Sequence, residues 1–144
     1  MYPLLEPGEG VLFDRLAYRW EPPGRGDLVL VERPAEPDGN LIKLIAGLPG
    51  EEIAVALDRL WVNGRLVTFP GPMVGSLSGR WKLGIDEYFV LSYAVAVGTD
   101  SRHFGPVSRA TISAQGWMVY APPARRRRLH GFDLPLVAPV DGIT

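Results

Sequence analysis

Leu41-Ile42-Lys43-Leu44-Ile45-Ala46-Gly47-Leu48-Pro49-Gly50-Glu51 is the stretch on which the reading of this chain turns. Residues 41–46 are apolar and rich in branched side chains, and Leu48-Pro49-Gly50 spells a tight turn, so the segment reads as a buried strand with a stop. One lysine stands inside it. A lysine that points into the core is desolvated, and desolvation lowers its pKa toward neutrality because burial disfavours the charged form. A neutral amine can take a proton from a serine hydroxyl and act as a general base. On an edge strand the same lysine would send its ammonium to solvent. Where this strand sits therefore decides what Lys43 is for.

Strand signals continue on both sides. Glu9–Phe13 alternates partly, and Leu28-Val29-Leu30-Val31-Glu32 reads as a second buried strand behind the turn Pro22-Pro23-Gly24-Arg25-Gly26-Asp27. Glu52–Ala56 and Arg59–Val62 form a hairpin around Leu57-Asp58. Asn63-Gly64 is the strongest short hairpin signal in the chain, with Arg65–Phe69 returning from it. Pro70–Gly79 reads as a loop. Tyr88–Leu91, Thr111-Ile112 and Gln115–Tyr120 complete the strands, and modest helical patterns occur only around Asp14–Trp20 and Val107–Ile112. The fold class is mainly β: a compact antiparallel sheet or partly closed barrel with few short helices. Residues 1–121 form the domain, and 122–144, with Arg125-Arg126-Arg127-Arg128 and several prolines, an extended tail.

Composition narrows the function. The 144 residues suit one domain, and 47% hydrophobic content is enough to exclude general disorder. A net charge of -1 gives no global reason to expect nucleic-acid binding. With no cysteine and two well-separated histidines, His103 and His130, neither disulfides nor a metal site is expected, and no cofactor is implied. No apolar run reaches the roughly 18 residues of a membrane span, and no secretory leader is visible.

Four segments, taken in order, resemble the signal peptidase I family of Ser/Lys endopeptidases. Met1-Tyr2-Pro3-Leu4-Leu5 is similar to the rear of the family's Ser-Met-x-Pro-Thr-Leu motif, Arg25–Val31 follows, Lys43–Glu51 matches the lysine segment, and Tyr88–Val107 carries Asp100-Ser101-Arg102. Leu60-Trp61-Val62-Asn63-Gly64 is similar to the family's hairpin after the lysine segment. The resemblance implies a protease that cuts secretory precursor peptides after small residues at the outer face of the cytoplasmic membrane. In that family the serine before the methionine is the nucleophile, so here it would lie immediately ahead of Met1, together with the membrane anchor that usually precedes it; the chain as it stands lacks that serine and is expected to be inactive without it.

By match, Lys43 is the general base, Asp100 and Arg102 pair to brace the site, and Met1, Leu5, Leu41 and Ile42 shape shallow substrate pockets. For Leu41 and Ile42, ordinary core is an equal alternative. An extended peptide would add to a strand edge. The chain departs from the pattern at Tyr93, where an aspartate is usual, and at Gly98, where a serine normally supports the lysine. Thr99 and Ser101 are the hydroxyls considered as substitutes. None of Ser76, Ser78, Ser92, Ser101, Ser108 and Ser113 has a nucleophile motif. The rival reading is a non-catalytic relative with a peptide- or membrane-binding groove. A self-cleaving repressor-type Ser/Lys protein ranks lower, because no DNA-binding helix pair precedes the domain. The arginine run is a solvated face or a site for anionic lipid, and membrane contact would show as exposed Trp20 or Trp81 beside an apolar patch.

Overall fold

Antiparallel pairing of these strands builds two sheets in the computed structural model, which describes residues 10–32, 40–56, 59–67, 78–92, 100–121, 123 and 127–128. The strands are β1 (Gly10–Asp14), β2 (Leu28–Glu32), β3 (Asn40–Gly47), β4 (Glu52–Ala56), β5 (Arg59–Val62), β6 (Arg65–Leu66), β7 (Gly79–Lys82), β8 (Glu87–Ser92), β9 (Val107–Ser108), β10 (Ile112–Ala121) and β11 (Arg127–Arg128), with one short helix, α1 (Ser101–Phe104), between β8 and β9. The larger sheet runs β1-β10-β2-β3-β8-β9, with β11 also paired to β10; the smaller runs β6-β5-β4-β7. Every ladder is antiparallel, as expected. Both orders end on edge strands, so the sheets do not close into a barrel.

The apolar runs explain the layering. Leu44 and Ala46 from β3 and Phe89 and Leu91 from β8 pack against Ile53, Val55, Leu60 and Val62 of the smaller sheet, with Leu83 and Val67 filling in. The opposite face of the larger sheet buries a second cluster of Val29, Val31, Ile45, Tyr88, Val90, Val107 and Ile112, on which Tyr18, Leu48 and Phe104 pack. Strands buried on both faces read as continuous apolar runs, and β2, β3 and β8 do.

Asn63-Gly64 makes the expected hairpin turn. Both residues have positive φ (50° and 80°), the combination a type I′ turn needs. The Asn63 side chain also accepts from the Glu52 amide at 2.8 Å. Three local expectations change. Gly79 belongs to β7, which gains strand character from pairing with β4 rather than from its own composition. Residues 15–20 form consecutive turns instead of a helix, and 107–112 divides into β9, a 3-10 turn at Arg109–Thr111 and the start of β10. Both helical patterns were short, and short helices need tertiary support to form. Leu57-Asp58, 68–77 and most of the tail lie outside the described residues.

The turns after β1 are tied down by Tyr18. Its hydroxyl donates to Asp27 Oδ2 at 2.7 Å, and Arg109 lies 5.6 Å over its ring. Burial pushes the Tyr18 phenol well above its ordinary value near 10; the hydrogen bond to Asp27 and that residue's charge push the same way, and Arg109 opposes them. A phenol held up in the folded state ionises first in the unfolded chain. Stability from this group is therefore intact below pH 10 and falls as pH rises above it. Thermal melts across pH 9–11 should show a shallower alkaline decline in Tyr18→Phe than in the parent chain, and equal slopes would refute the linkage.

Gly47 closes β3 where the register to β8 shifts. A Cβ there would lie 2.7 Å from Ile53 Cδ1 and 2.9 Å from Phe89 Cβ. Such overpacking costs about 1–3 kcal/mol. Gly47→Ala should lower the urea midpoint accordingly, and an unchanged midpoint would mean that the inter-sheet core yields at this point.

Candidate active site

Lys43 lies on an interior strand. β3 is hydrogen-bonded to β2 on one side and β8 on the other, and Lys43 faces Val29 and Ser92 across the two ladders. The edge-strand alternative for this lysine is therefore excluded. Lys43 is 7% exposed and Ser92 4%, and Lys43 Nζ donates to Ser92 Oγ at 3.0 Å. Directly opposed residues of an antiparallel pair share a face, so the contact follows from register.

Asp100 and Arg102 pair as the sequence suggested. Asp100 is fully buried. Its Oδ1 accepts from the Arg102 amide and from Arg102 Nε, both at 3.0 Å, and its Oδ2 accepts from the outer Arg102 nitrogen at 2.9 Å. This is the bidentate geometry that makes arginine–carboxylate pairs specific. Asp100 is also the N-cap of α1, and His103 Nδ1 accepts from the Asp100 amide at 3.2 Å to complete a capping box. The remaining capacity of Oδ2 goes to the Ser92 backbone N–H, at 3.1 Å. The brace thus reaches the strand that faces Lys43.

A second brace holds the other end of β3. Arg25 donates to both carboxylate oxygens of Glu51, at 2.8 and 2.7 Å, and to the Ala46 carbonyl at 2.8 Å. Glu51 Oε1 in turn accepts from the Leu48 amide at 2.6 Å. The Gly26 amide donates to the Ile45 carbonyl at 2.8 Å, and the Ile45 amide to the Asp27 carbonyl at 2.9 Å. Gly26 does this at φ 91°, a conformation costly for residues with a Cβ. Arg25-Gly26-Asp27 and Leu48–Glu51, separate in sequence, form one clasp that sets where β3 ends.

One sequence reading needs correction. Ser101 was a candidate to replace the missing serine at Gly98, but its hydroxyl accepts from the Val90 amide at 2.9 Å and docks α1 on β8. The serine found at Lys43 is Ser92, which carries no nucleophile motif in the sequence. Its only sequence signal was its place at the end of an apolar strand. Leu41 and Ile42 are each half-buried, and alternation along β3 puts Leu41 on the Lys43 face and Ile42 on the opposite one. Met1, Leu5, Tyr93, Gly98 and Thr99 lie outside the described residues. Trp81 packs on Phe89, ring centroids 4.9 Å apart, and belongs to the core, whereas Trp20 is 86% exposed.

The family profile for signal peptidase, peptidase S26, matches residues 1–121. The chain belongs to the signal peptidase family. It is 32% identical over 128 residues to signal peptidase I V of Bacillus subtilis, covering 78% of this chain and 75% of that protein. It is 30% identical to the mitochondrial ATP-independent inner membrane protease subunit 1a of Arabidopsis thaliana, over 81% of this chain and 61% of that one. A signal peptidase I from Enterococcus faecalis shares the fold, with a TM-score of 0.55 at 22% identity over 66% of this chain and 97% of the other. As a signal peptidase relative, the domain presents its lysine segment, clasp and Asp-Ser-Arg segment around one strand. Among the described residues no side chains cluster as a metal site, and no helix is long and apolar enough to cross a membrane.

Proposed function

We propose that this domain carries the general base of a signal peptidase I-type Ser/Lys endopeptidase that cleaves secretory precursor peptides after small residues. The observation that carries the reading is Lys43, buried on an interior strand with its amine in hydrogen-bond contact with a hydroxyl, in a chain of this family. The nucleophile is assigned to a serine immediately ahead of Met1. Lys43 takes the proton from that hydroxyl, the oxygen attacks the scissile carbonyl carbon, and the ammonium then returns a proton to the leaving amine. An extended substrate is expected to bind beside the base by adding to a strand edge.

The test is cleavage of an Ala-x-Ala peptide by the full chain with and without a serine placed before Met1. Cleavage is expected only with the serine. No cleavage in either form would favour the second reading, a non-catalytic peptide-binding relative, to which Tyr93 and Gly98 point because each replaces a family site residue.

The same proposal puts the domain at a membrane surface, at the outer face of the cytoplasmic membrane. Leu12, Leu16 and Trp20 on β1 and the turns after it, and Trp117 on the neighbouring β10, are exposed. Such apolar groups carrying an amphipathic tryptophan suit an interface. Leu16→Ser/Trp20→Ser should weaken partition to anionic lipid vesicles, and unchanged partition would count against this surface.

A further inference from the structure

We propose that Ser92 is the positioning residue of Lys43: its hydroxyl fixes where the amine sits, and Asp100 fixes Ser92. The inference rests on reading Lys43 as the base and adds what holds that base in place.

A lysine side chain has four rotatable bonds, and ordering it costs up to about 2 kcal/mol of rotamer freedom. An amine that must meet a hydroxyl at hydrogen-bond distance needs an anchor. The strand neighbour on β2 is Val29, which offers no polar side-chain atom. The strand neighbour on β8 is Ser92, with its Oγ 3.0 Å from Nζ and both residues buried. Serine has a single side-chain torsion before its hydroxyl, so fixing its backbone nearly fixes its oxygen. Here the backbone is fixed twice, by the β3–β8 ladder and by the bond from the Ser92 amide to Asp100 Oδ2. Asp100 is itself locked by Arg102 and by its capping of α1.

Among the described residues, Ser101 is a second buried hydroxyl near β8, and it is committed to Val90. Position 98 is glycine and has no side chain to offer. Ser92 supplies a supporting hydroxyl from a strand inside the sheet, and the Asp100–Arg102 brace acts on the base through it. Among the described residues, the charged group tied to Ser92 is Asp100, which is itself paired with Arg102 and in contact with the His103 imidazole of α1.

The sequence contains two lysines, Lys43 and the exposed Lys82, so lysine labelled with 13C at Cε gives one test signal and one internal reference. In the full chain, the Lys43 ε-methylene is expected to be ordered well above Lys82 by 13C relaxation. In Ser92→Ala its order should drop measurably toward the Lys82 level while the amide spectrum keeps its dispersion, and Ser92→Thr, which retains a hydroxyl, should preserve it. In the serine-extended chain, kcat on the Ala-x-Ala peptide should fall at least about tenfold in Ser92→Ala with KM unchanged, and Ser92→Thr should recover most of it. Lys43 remaining as ordered in Ser92→Ala as in the parent overturns the proposal, and so does unaltered kcat in that variant. The relaxation measurement needs neither nucleophile nor substrate. Loss of order in Ser92→Ala without cleavage in any variant would therefore support the anchoring by Ser92 while the peptidase reading fails.

Discussion

Asp100→Ala is expected to destabilise the domain by about 3–5 kcal/mol, the cost of removing one partner of a buried ion pair. The reason is the environment of Arg102. Its side chain is 3% exposed, and three of its N–H groups, counting the backbone amide, are directed at Asp100. Alanine withdraws the carboxylate and leaves the charge in the protein. It also removes the N-cap of α1 and the acceptor for the Ser92 amide, and a lost cap alone costs about 1 kcal/mol. A domain of this size has roughly 5–15 kcal/mol of stability in all, so the urea midpoint should fall steeply. The double variant Asp100→Ala/Arg102→Met should recover much of the loss, because it removes the stranded charge along with its partner. A single-variant loss below about 1 kcal/mol would show that Arg102 finds another acceptor at little cost, and the brace would lose its structural meaning.

Lys43→Met should separate activity from stability. Methionine keeps the length and volume of the stem without its amine, and replacing a buried polar or ionic group by an apolar one of similar size is often neutral or stabilising. The thermal midpoint is expected to hold or rise. Cleavage of the Ala-x-Ala peptide by the serine-extended chain should fall by about 10²–10⁴, the usual contribution of a positioned general base. Lys43→Ala should lose the same activity, with a further stability cost from the cavity it leaves. Cleavage that survives both substitutions would sink the proposed mechanism, since no other side chain has been given the proton.

Much of the fold was legible because its strands carry their instructions locally. Leu28–Val31 and Leu41–Ala46 are branched apolar runs bounded by turn residues, and Asn63-Gly64 demands a turn that few other pairs make. β7 was not legible: Gly79-Arg80-Trp81-Lys82 has no strand pattern of its own, and its backbone is paired by β4, some 25 residues earlier. α1 was hidden for the same kind of reason. Four residues cannot hold a helix by propensity, and this one stands on the cap from Asp100 and the docking of Ser101 against Val90.

The site divides along the same line. By its residues alone, the chain identified a lysine in an apolar strand, because residue type and neighbouring apolar side chains are written in the sequence. The family resemblance added a carboxylate–guanidinium pair two residues apart and a glycine where a supporting serine is usual. Strand order and register decided the rest. They placed β3 between β2 and β8, which buried Lys43, and they set Ser92 opposite it across 49 positions of chain. That juxtaposition comes from long-range pairing, so no local pattern records it, and only the assembled sheet shows which hydroxyl the lysine meets.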